Sequence, residues 1–216
     1  MKSLLISSMI LSAASAHSIG IMRQTDVPLN VVAWDDFESH PDRTDLGGAT
    51  LPTLEFLGGT ASFDGRNAGT LSVNDPSNGA PASLFDWNPT PSARSGSQFL
   101  ELRAPFTYDL VFDTPVFGFG AWWQLPLLSP QPNLKFFGEG DVLLGSEFGY
   151  NLTAPDSTRF YRGYYVIPAE MPLIKRVEFT GQKLCLDDFE TYDAVPEPGT
   201  ILALAAGLGA LARRRR

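Results

Sequence analysis

Tyr108–Trp123 reads YDLVFDTPVFGFGAWW and indicates the fold of the whole chain. The stretch holds two short apolar runs, Tyr108–Phe112 and Val116–Trp123, separated by a polar segment that contains a proline. Both runs are rich in aromatic and β-branched residues, which favour strands, and neither shows the 3.6-residue period of an amphipathic helix. The stretch therefore predicts two successive β-strands.

The chain between residues 17 and 194 continues this pattern. Short apolar or alternating runs are separated by segments in which proline, glycine or an Asx side chain favours chain reversal, such as Asp64-Gly65 and Thr180-Gly181. We therefore expect a single all-β domain, an antiparallel β-sandwich, over residues 17–194. The other runs predicted as strands are Val31–Phe37, Thr60–Phe63, Thr70–Val73, Ala82–Trp87, Gln98–Leu102, Leu134–Phe137, Asp141–Leu144, Phe148–Leu152, Phe160–Ile167, Leu173–Phe179 and Leu184–Tyr192.

Residues 1–16 have the features of a secretory signal peptide. Lys2 supplies a positive start, Leu4–Leu11 is a largely apolar segment, and Ala14-Ser15-Ala16 is a small-residue cleavage site with its small positions at Ala14 and Ala16. These features predict export through the Sec machinery and cleavage after Ala16 by signal peptidase.

The C-terminal residues 195–216 form a second targeting segment. Two prolines near its start favour an extended, accessible conformation. Residues 200–212 are apolar and predict a helix. If the helix starts near Gly199, its roughly fourteen residues at about 1.5 Å each span roughly 21 Å, less than the roughly 30 Å hydrocarbon core of a bilayer. A terminal arginine cluster stops translocation and holds this end in the cytoplasm, so the body is expected outside. The extended part contains Pro196, Glu197, Pro198 and Gly199, and the cluster consists of Arg213, Arg214, Arg215 and Arg216.

This order of parts resembles the PEP-CTERM sorting signal of Gram-negative bacteria. The resemblance implies that an exosortase, a membrane-embedded cysteine peptidase, recognises Pro196, Glu197 and Pro198 and removes the tail. It further implies a protein that is anchored transiently in the inner membrane and then reaches the cell surface or extracellular matrix, in hosts that commonly make exopolysaccharide and biofilm. The alternative is an ordinary C-terminal anchor with a proline-bearing linker.

The charge of the mature body restricts its partners. Loss of Lys2 and the four terminal arginines leaves 11 of the 16 basic residues, and loss of Glu197 with the tail leaves 23 of the 24 acidic ones, a net charge of −12. This charge argues against nucleic acid, anionic lipid or an acidic polymer as a simple electrostatic partner. It is compatible with divalent cations and neutral glycans. Cys185 is the single cysteine, so no intramolecular disulfide can form.

Paired aspartates occur near both ends of the body, in Trp34-Asp35-Asp36-Phe37 and Leu186-Asp187-Asp188-Phe189. First and last strands often pair in sandwiches. If they pair in this protein, the carboxylates gather into a hard-oxygen site of the kind that calcium prefers. In the alternative interpretation they cap turns, bond backbone amides or lie in water. The candidate ligands are Asp35, Asp36, Asp187 and Asp188.

A looser resemblance concerns the body itself. The order of Tyr108–Trp123, Phe160-Tyr161-Arg162-Gly163 and Val177-Glu178-Phe179 is similar to the jelly-roll bodies found upstream of PEP-CTERM tails and in carbohydrate-binding modules. The resemblance implies a jelly-roll-like sandwich and a structural Ca²⁺ between the first and last strands.

Trp122 and Trp123 are the candidate residues for stacking on sugar rings. Because neighbours on one strand point to opposite sides, only one of them can face outward. The alternative is that such aromatic residues belong to the core, where each buries about 150–250 Å².

We expect the exported protein to be non-catalytic and to associate with exopolysaccharide or biofilm through weak adhesion to glycan or other matrix components. His40 is the one histidine away from the cleavage site, which argues against a histidine-dependent triad or a multi-histidine zinc site. Two alternatives are open: a secreted carbohydrate-active hydrolase or lyase that uses paired carboxylates, and a purely structural envelope protein.

Overall fold

The computed structural model describes residues 18–22, 30–42, 51–66, 69–76, 92–125, 132–148, 160–167 and 172–193. These residues are almost entirely β-strand, and every strand pair among them is antiparallel. The predicted all-β, antiparallel sandwich is therefore confirmed. The strands are β1 Ser18–Met22, β2 Asn30–Asp35, β3 Thr53–Phe56, β4 Ala61–Gly65, β5 Thr70–Asn74, β6 Phe99–Val116, β7 Gly118–Gln124, β8 Asn133–Phe137, β9 Leu143–Glu147, β10 Phe160–Ile167 and β11 Ile174–Asp193, with 3₁₀ turns at Leu57–Gly59 and Glu139–Asp141.

Strand β11 organises the sheet because it pairs with four other strands. Its early part, around residues 176–180, lies between β6 and β8, and its final part lies between β7 and β2. The change of partners coincides with register irregularities between Gly181 and Lys183 and between Asp187 and Glu190. Because β-bulges bend a strand, β11 can pass from one layer of the sandwich to the other.

The other strands extend the sheet on both sides of β11. On one side, β6 pairs with β5 through Phe99–Arg103 and with β4 through Tyr108–Phe112, and β3 pairs with β4. On the other side, β7 pairs with β10, which pairs with β1. β9 joins through β8. The two longest strands, β6 and β11, thus pair with each other and each pair with at least two further strands.

Aromatic side chains fill the space between the layers. Phe119 of β7 stacks on Phe189 of β11, with ring centroids 5.5 Å apart and an interplanar angle of 6°. Phe56 meets Phe189 edge-on at 5.0 Å. All three rings are buried. Because side chains alternate along a strand, this core fixes which residues of β7 and β11 point away from it.

Several predicted strand boundaries were wrong. The runs Gln98–Leu102 and Tyr108–Phe112 belong to one strand, β6, and Leu173–Phe179 and Leu184–Tyr192 belong to β11. The turn predicted at Thr180-Gly181 does not form, because both residues pair with β6. β1 and β3 were not predicted.

Several predictions lie outside the described residues. These are the signal peptide (1–16), the strand Ala82–Trp87, most of the strand Phe148–Leu152, the apolar helix 200–212 and the whole sorting segment 195–216. Among the residues that are described, no helix has the length and apolar character needed to cross a membrane.

Candidate functional site

Registered strand pairs place residues from four strands on one side of the sheet, which we call the outer face. Trp34 of β2 lies opposite Glu190 of β11, and Glu190 lies opposite Gly120 of β7. Trp122, two residues further along β7, shares the side of Gly120, as do its own partners on β11 and β10. The outer face thus carries Trp34, Gly120, Trp122, Tyr161, Asp187 and Glu190.

The adjacent tryptophans of β7 point to opposite sides of the sheet. Trp123 lies in the core with 1% of its surface exposed, stacks on Phe179 at 5.9 Å and donates its indole N–H to the carbonyl of Arg162 at 3.1 Å. The sugar-stacking role considered for Trp123 is therefore wrong, because its ring is enclosed by protein. Trp122 is half-buried on the outer face. The sequence already indicated which tryptophan is buried. Trp123 shares its side of β7 with Phe119, whereas Trp122 shares its side with Gly118 and Gly120.

Trp122 lines a shallow cleft that is open to solvent. The guanidinium carbon of Arg94 lies 4.8 Å from the centroid of the Trp122 ring, which is a cation–π arrangement. Tyr161 contacts the same indole edge-on, with centroids 5.9 Å apart. The cleft is lined by Ser92, Phe99, Trp122, Trp123, Gln124, Cys185, Leu186 and Asp187. Trp122 thus offers an aromatic surface beside polar groups.

A carboxylate bridged by two tyrosines occupies the centre of the outer face. Glu190 accepts hydrogen bonds from the hydroxyls of Tyr161 at 3.1 Å and Tyr192 at 2.7 Å. Burial, and then the charge of Asp188, raises the pKa of Glu190. The two hydroxyls occupy the space above Gly120, where any Cβ would collide with both. Sequence reasoning missed this group because Tyr161 lies on β10 and Glu190 and Tyr192 lie on β11, and these two strands come together only through β7, which lies between them in the sheet.

Trp34 supplies a second aromatic surface on the outer face. Its side chain is 51% exposed, whereas its neighbour Ala33 packs against the core. Trp34 on β2 and Trp122 on β7 are separated by β11, and two strand spacings amount to about 10 Å across the sheet. Glu190 lies between them. The face therefore presents two aromatic platforms with a hydrogen-bonding group in between.

The aspartates considered as calcium ligands lie near the paired ends of β2 and β11. Asp35 is opposite Phe189, so the strands that carry the two aspartate pairs, β2 and β11, do pair with each other. The Asp35 carboxylate accepts backbone N–H groups of Phe37 at 2.8 Å and Leu57 at 2.7 Å, and it contacts the His40 ring at 3.3 Å. Burial alone would raise the pKa of Asp35, but the bonds from His40, Leu57 and Phe37 together hold the pKa below its usual range.

Asp187 is buried at the bulge of β11. One of its oxygens accepts the backbone N–H groups of Arg94 and of Ser95, the latter at 3.2 Å, and the other accepts that of Asp188 at 2.8 Å. Burial raises the pKa of Asp187 to about 6 in spite of these bonds, and the charge of Asp188 adds to the rise. Asp188 has a positive φ of 47° and accepts the Ser95 hydroxyl.

These contacts agree with the alternative interpretation of the paired aspartates. Asp36 likewise accepts a backbone N–H, from Glu38 at 3.2 Å. Within the part of the chain that the structure describes, no three His, Cys, Asp or Glu side chains converge as a metal-binding group. Asp35, Asp36, Asp187 and Asp188 shape turns and anchor loops, and structural calcium at them remains a prediction.

Residues 194–216 match the family model described as the PEP-CTERM protein-sorting motif. The chain carries a PEP-CTERM sorting signal. The resemblance deduced from Pro196, Glu197 and Pro198 is therefore confirmed. The PEP-CTERM match indicates an exported protein that an exosortase processes, and it concerns the tail alone. No curated protein matches the sequence.

Two solved structures are similar to part of this chain. One is TmCBM61 in complex with β-1,4-galactotriose, at 13% identity and a TM-score of 0.29, covering 74% of this chain and 99% of that chain. The other is the enzymatically active domain of bacteriophage CBA120 tailspike protein 4, at 14% identity and a TM-score of 0.27. This second match covers 62% of this chain and 18% of the tailspike chain. At these TM-scores neither structure locates a binding site on this protein.

Proposed function

We propose that the body is a non-catalytic glycan-binding domain that exosortase processing delivers to the cell surface or extracellular matrix. The glycan lies across the outer face, from the Trp122 cleft to Trp34. Adhesion of this kind would hold the protein in an exopolysaccharide matrix.

The placement of two tryptophans on one face, Trp34 exposed and Trp122 half-buried, is the observation that carries the proposal. Planar side chains stack on the apolar faces of sugar rings, and Trp34 and Trp122 provide two such surfaces about 10 Å apart across the sheet. Between them the carboxylate of Glu190 offers acceptor capacity for sugar hydroxyls. Because the mature body has a net charge of −12, a neutral glycan fits better than an acidic one.

Binding of the exported protein to exopolysaccharide from its host tests the proposal. Trp122→Ala and Trp34→Ala should each weaken binding about tenfold, equivalent to about 1.4 kcal/mol. Val142→Ala is the matched control, because Val142 is 49% exposed but lies near the other end of β11. Unchanged affinity in both tryptophan variants would refute the site, and no binding by the wild type would favour a purely structural role.

The same incubation tests the non-catalytic part of the proposal. The polysaccharide should keep its chain length, with no new reducing ends or unsaturated products over time. Depolymerisation by the wild type would establish the carbohydrate-active alternative instead.

A further inference from the structure

Residues 92–98, which we call the strap, cross the cleft without joining the β-ladder. Ala93 of the strap packs over Phe99 and Cys185, a small apolar cluster separate from the main core. Arg94 of the strap lies over Trp122. The strap therefore covers both the floor of the cleft and one surface of the indole.

Among the described residues, the side chains of Gln124, Asp187 and Glu38 hold the strap through its backbone. The N–H of Ser92 donates to Gln124 at 3.3 Å, and those of Arg94 and Ser95 donate to Asp187. At the other end, Glu38 accepts two further backbone N–H groups. Because these bonds run to side chains and none of them belongs to the β-ladder, the strap can open without breaking any strand pair.

Glu38 makes the most concentrated set of these contacts. Its Oε1 accepts the backbone N–H groups of Ser97 at 2.7 Å and Gln98 at 2.5 Å, and its Oε2 accepts the Ser97 hydroxyl at 3.2 Å. Gly96 has a positive φ of 55°, and a Cβ at this position would overlap the Glu38 carboxylate. Phe37, with a φ of 62°, forms the turn after β2 that places Glu38 against the strap.

We propose that the strap is a gate over the Trp122 surface and that Glu38 is its latch. In the closed state Arg94 occupies the indole surface on which a sugar would stack. When the strap is released from Glu38, Arg94 moves away and the Trp122 cleft opens. This regulation rests on the glycan-binding function proposed above, but the movement itself can be tested without a ligand.

Cys185 is a built-in reporter of the open state. It is the single cysteine of the chain, it is 4% exposed, and Ala93 of the strap packs against its cluster. Burial raises the pKa of its thiol well above the usual value, so the closed protein should react slowly with 5,5′-dithiobis(2-nitrobenzoate). Opening of the strap exposes the thiol, so the modification rate reports the open population.

The test compares modification rates of the native exported protein and its variants. Glu38→Gln and Gly96→Ala should each raise the Cys185 rate at least about tenfold, because both disturb the latch. Glu178→Gln is the matched control, since Glu178 is also a partly buried, bonded glutamate but pairs with Lys135 and Arg66. Thermal unfolding followed by circular dichroism must show that each variant is folded at the assay temperature.

Two outcomes separate this proposal from the glycan-binding one. Rates equal to wild type in both Glu38→Gln and Gly96→Ala would overturn the gate, whatever the glycan data show. Faster modification together with several-fold tighter binding of host exopolysaccharide would support it in full. If the thiol responds but the wild type binds no exopolysaccharide, the moving strap is supported and the glycan-binding function fails.

Discussion

The opposite orientation of Trp122 and Trp123 gives a direct test of the sheet geometry. Replacing either by alanine removes the same atoms from adjacent positions of β7. The consequences should differ because Trp123 is enclosed by the core and Trp122 borders solvent. We therefore expect Trp123→Ala to be much more destabilising than Trp122→Ala.

The sizes of the two effects follow from the contacts that are lost. Truncation of a buried tryptophan costs about 3–5 kcal/mol, and the carbonyl of Arg162 left without its donor adds about 1 kcal/mol or more. For a domain of this size about 2–4 °C of Tm is lost per kcal/mol, so Trp123→Ala should lower Tm by roughly 10–20 °C. Trp122→Ala loses the contacts with Arg94 and Tyr161, together about 1–2 kcal/mol.

Urea and thermal unfolding followed by far-UV circular dichroism measure both changes without relying on tryptophan fluorescence. If Trp123→Ala does not fold, Trp123→Phe provides a milder version, which loses the hydrogen bond to Arg162 but keeps an aromatic ring. An equal or larger loss of stability in Trp122→Ala would refute the assignment of faces, and with it the position of the candidate site.

Three further predictions concern pH, sorting and metal. Because the pKa of Asp187 is about 6 in the folded protein and ordinarily 3.8, folding favours its protonated form. The wild type should therefore lose unfolding free energy relative to Asp187→Asn as pH rises from about 4 to 7, by at most about 3 kcal/mol in urea titrations; a wild type that keeps or gains stability relative to Asp187→Asn over this range would contradict this. Replacing Pro196-Glu197-Pro198 by three alanines should leave an unprocessed membrane-bound precursor on immunoblots, and normal maturation would disprove the role of the motif. If calcium is structural, EGTA should lower Tm and elemental analysis should find Ca²⁺; no change in Tm and no metal would remove it.

The class of fold could be predicted from the sequence because strand-forming runs and their alternation are local properties. The partners of each strand could not, because pairing depends on residues far apart in the chain. Thr180-Gly181 illustrates the difference. Locally it favours a turn, but in the structure Gly181 pairs with Phe106, and a Cβ would lie 3.0 Å from that ring. The glycine therefore serves a close contact between strands.

The candidate site likewise has features that the sequence predicted and features that it did not. The sequence predicted that only one of Trp122 and Trp123 faces outward, because the alternation of side chains along a strand is a local property. The group formed by Tyr161, Tyr192 and Glu190 carries no signal in the sequence, since only the order β10–β7–β11 brings it together. The paired aspartates were recognised as special, but their backbone partners, such as the N–H groups of Leu57 and Arg94, depend on loops whose positions a sequence does not reveal.

The position of β11 in the chain couples folding to delivery. β11 pairs with β2, β6, β7 and β8, and it ends at Asp193, directly before the sorting segment 194–216. During synthesis the sorting segment is therefore added only after β11, with which the other four strands pair. A chain that ends prematurely before Ile174 lacks both β11 and the sorting segment. Every polypeptide that exosortase can select therefore also contains β11, which completes the sheet.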